Sequence, residues 1–193
     1  MIKLKSFGHI NIVVDDINTA TQFYQNTLGA TPVYEAPHFQ NIGFAKAAGF
    51  LSNPDEVDVS IRFLALPFPT PIFLELMQYH SPKGKESIQH FKTNDMGGPR
   101  HICLRVENVA EAFEHVKGCK GAQMINQSAE YKPYKLESIT PQQFRFFDPQ
   151  LEASREAKDH MCQEAGSIRF FYFLDPYGVQ WEIEQGPKDV GPD

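Results

Sequence analysis

Gly8-His9-Ile10-Asn11-Ile12-Val13-Val14-Asp15-Asp16-Ile17 and Arg100-His101-Ile102-Cys103-Leu104-Arg105-Val106-Glu107-Asn108-Val109 follow one pattern, set 92 residues apart (His9 to His101). In each, apolar residues alternate with other types as in a half-buried strand. An acid or amide, Asp16 or Asn108, then stands where a helix N-cap belongs. The same offset lays Gly29-Ala30 on Gly121-Ala122 without a gap. Each helix is expected to stop at a glycine: Gly29 in the first copy, the stretch from Gly118 to Gly121 in the second. Second strands are expected over 31–34 and 122–126. Working outward, Phe73-Leu74-Glu75-Leu76-Met77-Gln78 aligns with Gln180-Trp181-Glu182-Ile183-Glu184-Gln185 at an offset of 107 (Glu75 to Glu182), so the second copy carries 15 extra residues in its middle.

Internal repetition of this kind sets the fold. Each copy reads as β-α-β-β-β, and the class is α+β: paired βαβββ modules forming open, curved mixed sheets, or half-barrels, around a metal cleft. The modules are expected over residues 1–80 and 99–186, with a turn-rich linker at 81–98 and a tail at 187–193. A short helix is expected around 85–91 in the linker. The second module carries its insertion at about 128–166. There, Asp148-Pro149 and Gly166 read as start and stop of a helix over 151–164, downstream of the aromatic-basic run Phe144-Arg145-Phe146-Phe147. The first insertion, 36–53, reads equally as a lid or as packing on the sheet.

Composition narrows the function. A hydrophobic share of 41%, with 16 Phe and 7 Tyr, supplies a sizeable core. The net charge of −6 comes from interspersed signs, without the basic stripe that nucleic acid requires. Apolar runs such as Ile61-Arg62-Phe63-Leu64-Ala65-Leu66 are strand-length, far short of the roughly 20 residues of a membrane span. The first residues lack the apolar stretch of a signal peptide. Cys103, Cys119 and Cys162 have no CxxC spacing and fit reduced thiols in a cytoplasm.

Duplication also singles out residues. A histidine opens the first strand of both copies, and a glutamate amid apolar residues sits in the last strand of both. Burying an unpaired carboxylate is costly, so a partner is expected for each. Strand parity puts His9 with Asn11 and Val13, Glu75 with Phe73 and Met77, His101 with Cys103 and Arg105, and Glu182 with Gln180 and Glu184. Two imidazoles and two carboxylates suit a divalent cation with mixed N/O donors, whether Ni, Zn, Co, Mn or Fe. The metal set is therefore His9, Glu75, His101 and Glu182, with Glu184 competing for the last place. A metal-free His/Glu hydrogen-bond network is the alternative. His38, His80, His90, His115 and His160 have no matched partner and read as surface or lid residues.

These blocks, with Phe23-Tyr24, Leu28-Gly29 and Phe173-Leu174-Asp175-Pro176-Tyr177-Gly178-Val179-Gln180-Trp181-Glu182-Ile183, resemble the vicinal oxygen chelate superfamily. The last run is similar to the family's closing Asp-Pro-x-Gly-x-x-x-Glu element, and that spacing selects Glu182 over Glu184. The filled order His, Glu, His, Glu resembles bacterial-type glyoxalase I and methylmalonyl-CoA epimerase. That resemblance implies proton transfer next to a carbonyl through a metal-stabilised enediolate, on a small oxygenated or thioester substrate. It further implies Glu182 as the catalytic base, with Glu75 the second choice or opposite partner. Asn11, Arg105, Phe73, Met77 and Arg169 are candidate substrate contacts, and a plain ion pair within the sheet is an equal reading of Arg105 and Arg169. An Fe(II)-dependent dioxygenase of the same superfamily and a non-catalytic small-ligand binder are the competing readings. The expected partner is a small-molecule substrate, with modules pairing within one chain or exchanging in a homodimer.

Overall fold

The computed structural model describes residues 7–70, 72–85, 87–88, 92–94, 96, 99–136 and 138–186. The chain divides into two compact units, residues 1–90 with 119–121, and residues 91–118 with 122–193. The helix expected around 85–91 and the tail 187–193 lie largely or wholly outside the described residues.

The first unit runs β1 (His9–Val13), α1 (Ile17–Leu28), β2 (Thr31–Phe39), α2 (Ile42–Ala47), β3 (Asp58–Ala65) and β4 (Phe73–Ser81). Its sheet has the order β1-β4-β3-β2, with β1 parallel to β4 and the other pairs antiparallel. The Asp16 carboxylate accepts the Thr19 amide at 2.6 Å and so caps α1. Gly29, at φ 66°, closes the helix in the left-handed conformation that a side chain resists. Along α1, Ile17, Ala20 and Tyr24 are buried, as are Ile12, Leu64, Leu74 and Leu76 on the sheet. That spacing is the helical one, so one stripe of α1 covers one face of the sheet. Strand β2 runs to Phe39, five residues beyond its expected end, because β3 offers it partners as far as Val59.

The other face of this sheet has two parts. Toward one end lie His9, Asn11 and Glu75. Toward the other, Val59, Ile61 and Met77 form an apolar cluster packed by Phe39, Phe44 and Tyr79. Phe44 sits on α2, which Asn41 caps through the Phe44 amide at 2.9 Å. Phe39 and Phe44 of the first insertion thus pack on this end of the sheet.

The second unit runs β5 (Ile102–Arg105), α3 (Val109–Gly118), β6 (Gln123–Met124), β7 (Tyr134–Lys135), α4 (Pro149–Ala153), α5 (Arg155–Ser167), β8 (Arg169–Leu174) and β9 (Gln180–Gln185). The sheet order is β5-β9-β8-β6, with β7 also on β8; β5 is parallel to β9 and the rest are antiparallel. Both sheets are mixed and open. The second strand departs from expectation: Gln123–Met124 pairs with one end of β8, and Tyr134–Lys135 resumes at the other. In the gap, the Tyr131 hydroxyl accepts the Tyr172 amide at 2.8 Å and donates to the Tyr172 carbonyl at 3.4 Å. The Tyr172 carbonyl also accepts the Ile125 amide at 3.1 Å, so it is the Tyr172 amide for which a side chain stands in for backbone.

The single expected helix over 151–164 is two helices. Asp148 caps α4 and Ser154 caps α5, which runs past Gly166 to Ser167. Ser154, extended at φ −85° and ψ 113°, makes the break. On the covered face, Phe113 of α3 meets Phe171 of β8 edge-on at 5.1 Å, and Trp181 is fully buried. No helix among the described residues is long and apolar enough to cross a membrane.

Candidate metal centre

In the first unit, parallel pairing sets Asn11 beside Glu75, and antiparallel pairing sets Phe63 on Glu75's other side. His9 Nε2 lies 3.0 Å from Glu75 Oε2. The Asn11 amide donates to the same carboxylate oxygen at 3.0 Å and to the Glu75 carbonyl at 3.2 Å. Phe63 stands edge-on to the His9 ring, at 5.5 Å between centroids.

The second unit repeats this arrangement. Glu182 pairs with Cys103 on one side and with Tyr172 on the other. His101 Nε2 lies 3.0 Å from Glu182 Oε2, and the His101 ring sits 5.4 Å from Tyr172. In each half the imidazole is about two-fifths exposed and the carboxylate at most 15% exposed, so a ligand arriving from solvent meets the nitrogen first.

The cross-strand neighbours of the two carboxylates differ in both places. Asn11 is replaced by Cys103, and Phe63 by Tyr172. The Tyr172 hydroxyl bonds Glu182, and burial, followed by that bond and the carboxylate's charge, pushes its pKa far above the usual tyrosine range. Tyr172 therefore stays a neutral hydrogen-bond donor at any ordinary pH. Nothing in the sequence singled it out. Its place beside Glu182 comes from the β8–β9 register, which a lone strand does not reveal.

Glu184, the competitor for Glu182, lies one step along the same face and is engaged by Arg105, whose Nη2 and Nε are 2.8 and 3.2 Å from Oε1. Arg105 is thus one half of an ion pair within the sheet. Three other candidate substrate contacts also have neighbours within their own unit. Asn11 is engaged with Glu75. Met77, 6% exposed, belongs to the apolar cluster. Arg169 pairs with Gln185 in register and shares the face of Phe171 and Phe173, opposite Glu182. Phe73 keeps its expected face, half-buried opposite His9, with its ring 6.5 Å from that of Phe63. His38 and His80, expected as unrelated surface or lid residues, are stacked on each other at 4.5 Å.

The closing Asp-Pro-x-Gly element has a structural role. The Asp175 carboxylate accepts the amides of Tyr177 and Val179 at 2.8 and 2.9 Å and the Trp181 indole N–H at 2.9 Å. Gly178, at φ 82°, completes the turn that leads β8 into β9.

A family model described as Glyoxalase/Bleomycin resistance protein/Dioxygenase superfamily matches residues 6–183. The chain belongs to this superfamily. Solved structures agree in fold. A glyoxalase family protein from Bacillus cereus is 16% identical, with 96% of each chain covered and a TM-score of 0.64. A glyoxylase/bleomycin resistance protein/dioxygenase domain from Frankia sp. EAN1pec is 13% identical, covering 95% of this chain and 99% of its own, at 0.54. A mutant of the fosfomycin resistance protein FosX from Listeria monocytogenes, complexed with Mn(II) and 1S,2S-dihydroxypropylphosphonic acid, is 16% identical. It covers 97% of this chain and 96% of its own, at 0.51. Among curated proteins, none matches this sequence.

Proposed function

We propose that this superfamily member is a metal-dependent lyase or isomerase of the glyoxalase type. It moves a proton next to a carbonyl on a small oxygenated or thioester substrate. His9, Glu75, His101 and Glu182 would jointly hold one divalent cation. The observation that carries this reading is the repeated pair: an imidazole nitrogen 3.0 Å from a poorly exposed carboxylate oxygen, at equivalent register positions in both units. The donor chemistry fits, since two neutral imidazoles and two carboxylates balance a divalent charge with mixed N/O ligands. Bound there, the ion would supply Lewis-acid stabilisation of negative charge on a substrate oxygen.

The two carboxylates have different tasks. Glu75 Oε2 is tethered by both His9 and Asn11, which suits a fixed ligand. Glu182 is bonded by Tyr172, whose neutral hydroxyl can steady the carboxylate while it takes and returns a proton. Glu182 is accordingly the base. Replacing it with Gln should leave the fold intact and abolish solvent-deuterium exchange into hemithioacetals and acyl thioesters; exchange that persists refutes the role.

The shared ion has its own test. Metal analysis of His9→Ala and of His101→Ala should show loss of the same single equivalent from either variant. Two independently lost equivalents would overturn the joint site. Mixing these two variants separates the possible assemblies. Pairing within one chain leaves the mixture inactive, and pairing between two copies restores activity. Oxygen uptake during turnover would instead favour the dioxygenase reading.

A further inference from the structure

A second group of metal-ligating side chains lies in the first unit, five residues along β4 from Glu75, or about 16 Å at strand rise. It is assembled by irregularities in two strands that flank β3. The β2–β3 register slips between Ala36 and Phe39, and His38 within that slip takes φ 51°, rare for a side chain larger than Gly. The β3–β4 register slips between the pairs Asp58–Ser81 and Val59–Tyr79, which leaves His80 opposite no residue. Regular pairing would put these histidines elsewhere. The two bulges instead bring their rings together, 4.5 Å apart and 25° from parallel. His38 Nδ1 is 3.0 Å from Asp58 Oδ2, and His80 Nε2 is 2.8 Å from Ser60 Oγ. One donor atom each from His38, Asp58 and His80 fall within 4.8 Å of one another.

Hydrogen bonding alone leaves this cluster unsatisfied. Asp58 Oδ1 is buried with no hydrogen-bond partner, although such a carboxylate oxygen has lone pairs to satisfy. A cation would satisfy it, because it accepts lone pairs from two neutral rings and from the carboxylate.

We propose that His38, Asp58 and His80 form a second divalent-metal site of the zinc type, separate from the pair at His9 and Glu75. Two imidazoles and one carboxylate are the ligand set of a zinc site with a position left for water. Zinc bonds of about 2.0–2.1 Å place tetrahedral ligands about 3.3 Å apart, so the donors need only side-chain movement to close on an ion. The Ser60 hydroxyl holds one nitrogen of His80 and fixes the ring, the usual task of a metal ligand's outer partner. The His38 side chain is 67% exposed, which gives an ion a path from solvent.

The test is a calorimetric titration of the chelator-stripped full chain with Zn²⁺. The parent should take up one equivalent more than a His38→Gln/His80→Gln variant. A His9→Ala/His101→Ala variant should keep that equivalent, so failure of the site proposed above and failure of this one are read separately. Asp58→Asn should abolish the extra equivalent, and Ser60→Ala should weaken it by about tenfold or more. Equal uptake by the parent and the His38→Gln/His80→Gln variant would overturn the proposal. A second measurement needs no variant. Zn²⁺ should protect His38 and His80 of the unaltered chain from diethylpyrocarbonate, while the exposed His115 and His160 continue to react; equal labelling of all four with and without Zn²⁺ would overturn it too.

Discussion

Glu182 and Glu75 have equivalent register positions and unequal neighbours, and the difference rests on single residues. Tyr172 donates to Glu182 where Phe63 offers Glu75 nothing polar. Tyr172→Phe removes one hydrogen bond to a charged group, a contact worth about 1.5–3 kcal/mol, from a site where geometry decides rate. Turnover should fall about 10- to 100-fold, with metal uptake held and stability lowered by no more than the worth of that bond; unchanged turnover would remove Tyr172 from the mechanism. Asn11 is the corresponding tether on Glu75, and Asn11→Leu should weaken metal uptake by about tenfold, measured by competition with a chelator. The histidines and glutamates themselves were legible from strand alternation, because parity needs only local backbone geometry. Tyr172 was not legible, because its neighbour is set by a hairpin register. Arg105 takes the ion pair within the sheet that was its other reading, with the acid beside it, whereas Arg169 stands on the far face of its own strand.

At the scale of elements, the caps anticipated in the sequence do what their chemistry requires. Asp16 accepts the Thr19 amide, and that bond, the largest cause, holds its carboxyl below the usual range. The ionised form is thus the one the fold favours. Its stabilisation is present above about pH 4 and fades as the pH falls through the lowered folded value. Asp16→Ala should cost about 1 kcal/mol at neutral pH, read from urea unfolding. Asp16→Asn should cost less and flatten the acid limb of the stability profile. The split second strand is a different case. The sequence gives no sign that Tyr131 fills the ladder between β6 and β7, because its hydroxyl reaches β8 only after a loop has folded back. Tyr131→Phe should cost about 1–3 kcal/mol, since it strands the Tyr172 amide; a loss below 0.5 kcal/mol, within the ~0.5 kcal/mol scatter of surface changes, would show that water takes over. The bulges at His38 and His80 were illegible for a related reason. A bulge belongs to a pair of strands, and neither strand announces it alone.

Across the whole molecule, repetition was the most readable feature. Two blocks at one offset fixed the two βαβββ plans before any side chain was placed. What repetition cannot specify is where the copies diverge, and the divergences hold the insertion helices, the broken strand and the Tyr172 hydroxyl. Asp175 offers a way to watch one copy at a time. It is 2% exposed and holds the only tryptophan of the chain by the indole N–H. Asp175→Asn turns an acceptor of three N–H groups into a group that meets one of them with another donor, and should cost about 2–3 kcal/mol. Because that indole belongs to the sheet bearing Glu182, its emission is an internal lamp for the second unit, with no label attached. Tyrosines and phenylalanines are spread over both units, so the first needs a probe placed in it. If the two traces part company in denaturant, each duplicate stands or falls by itself; if they coincide, the pair has become a single cooperative body.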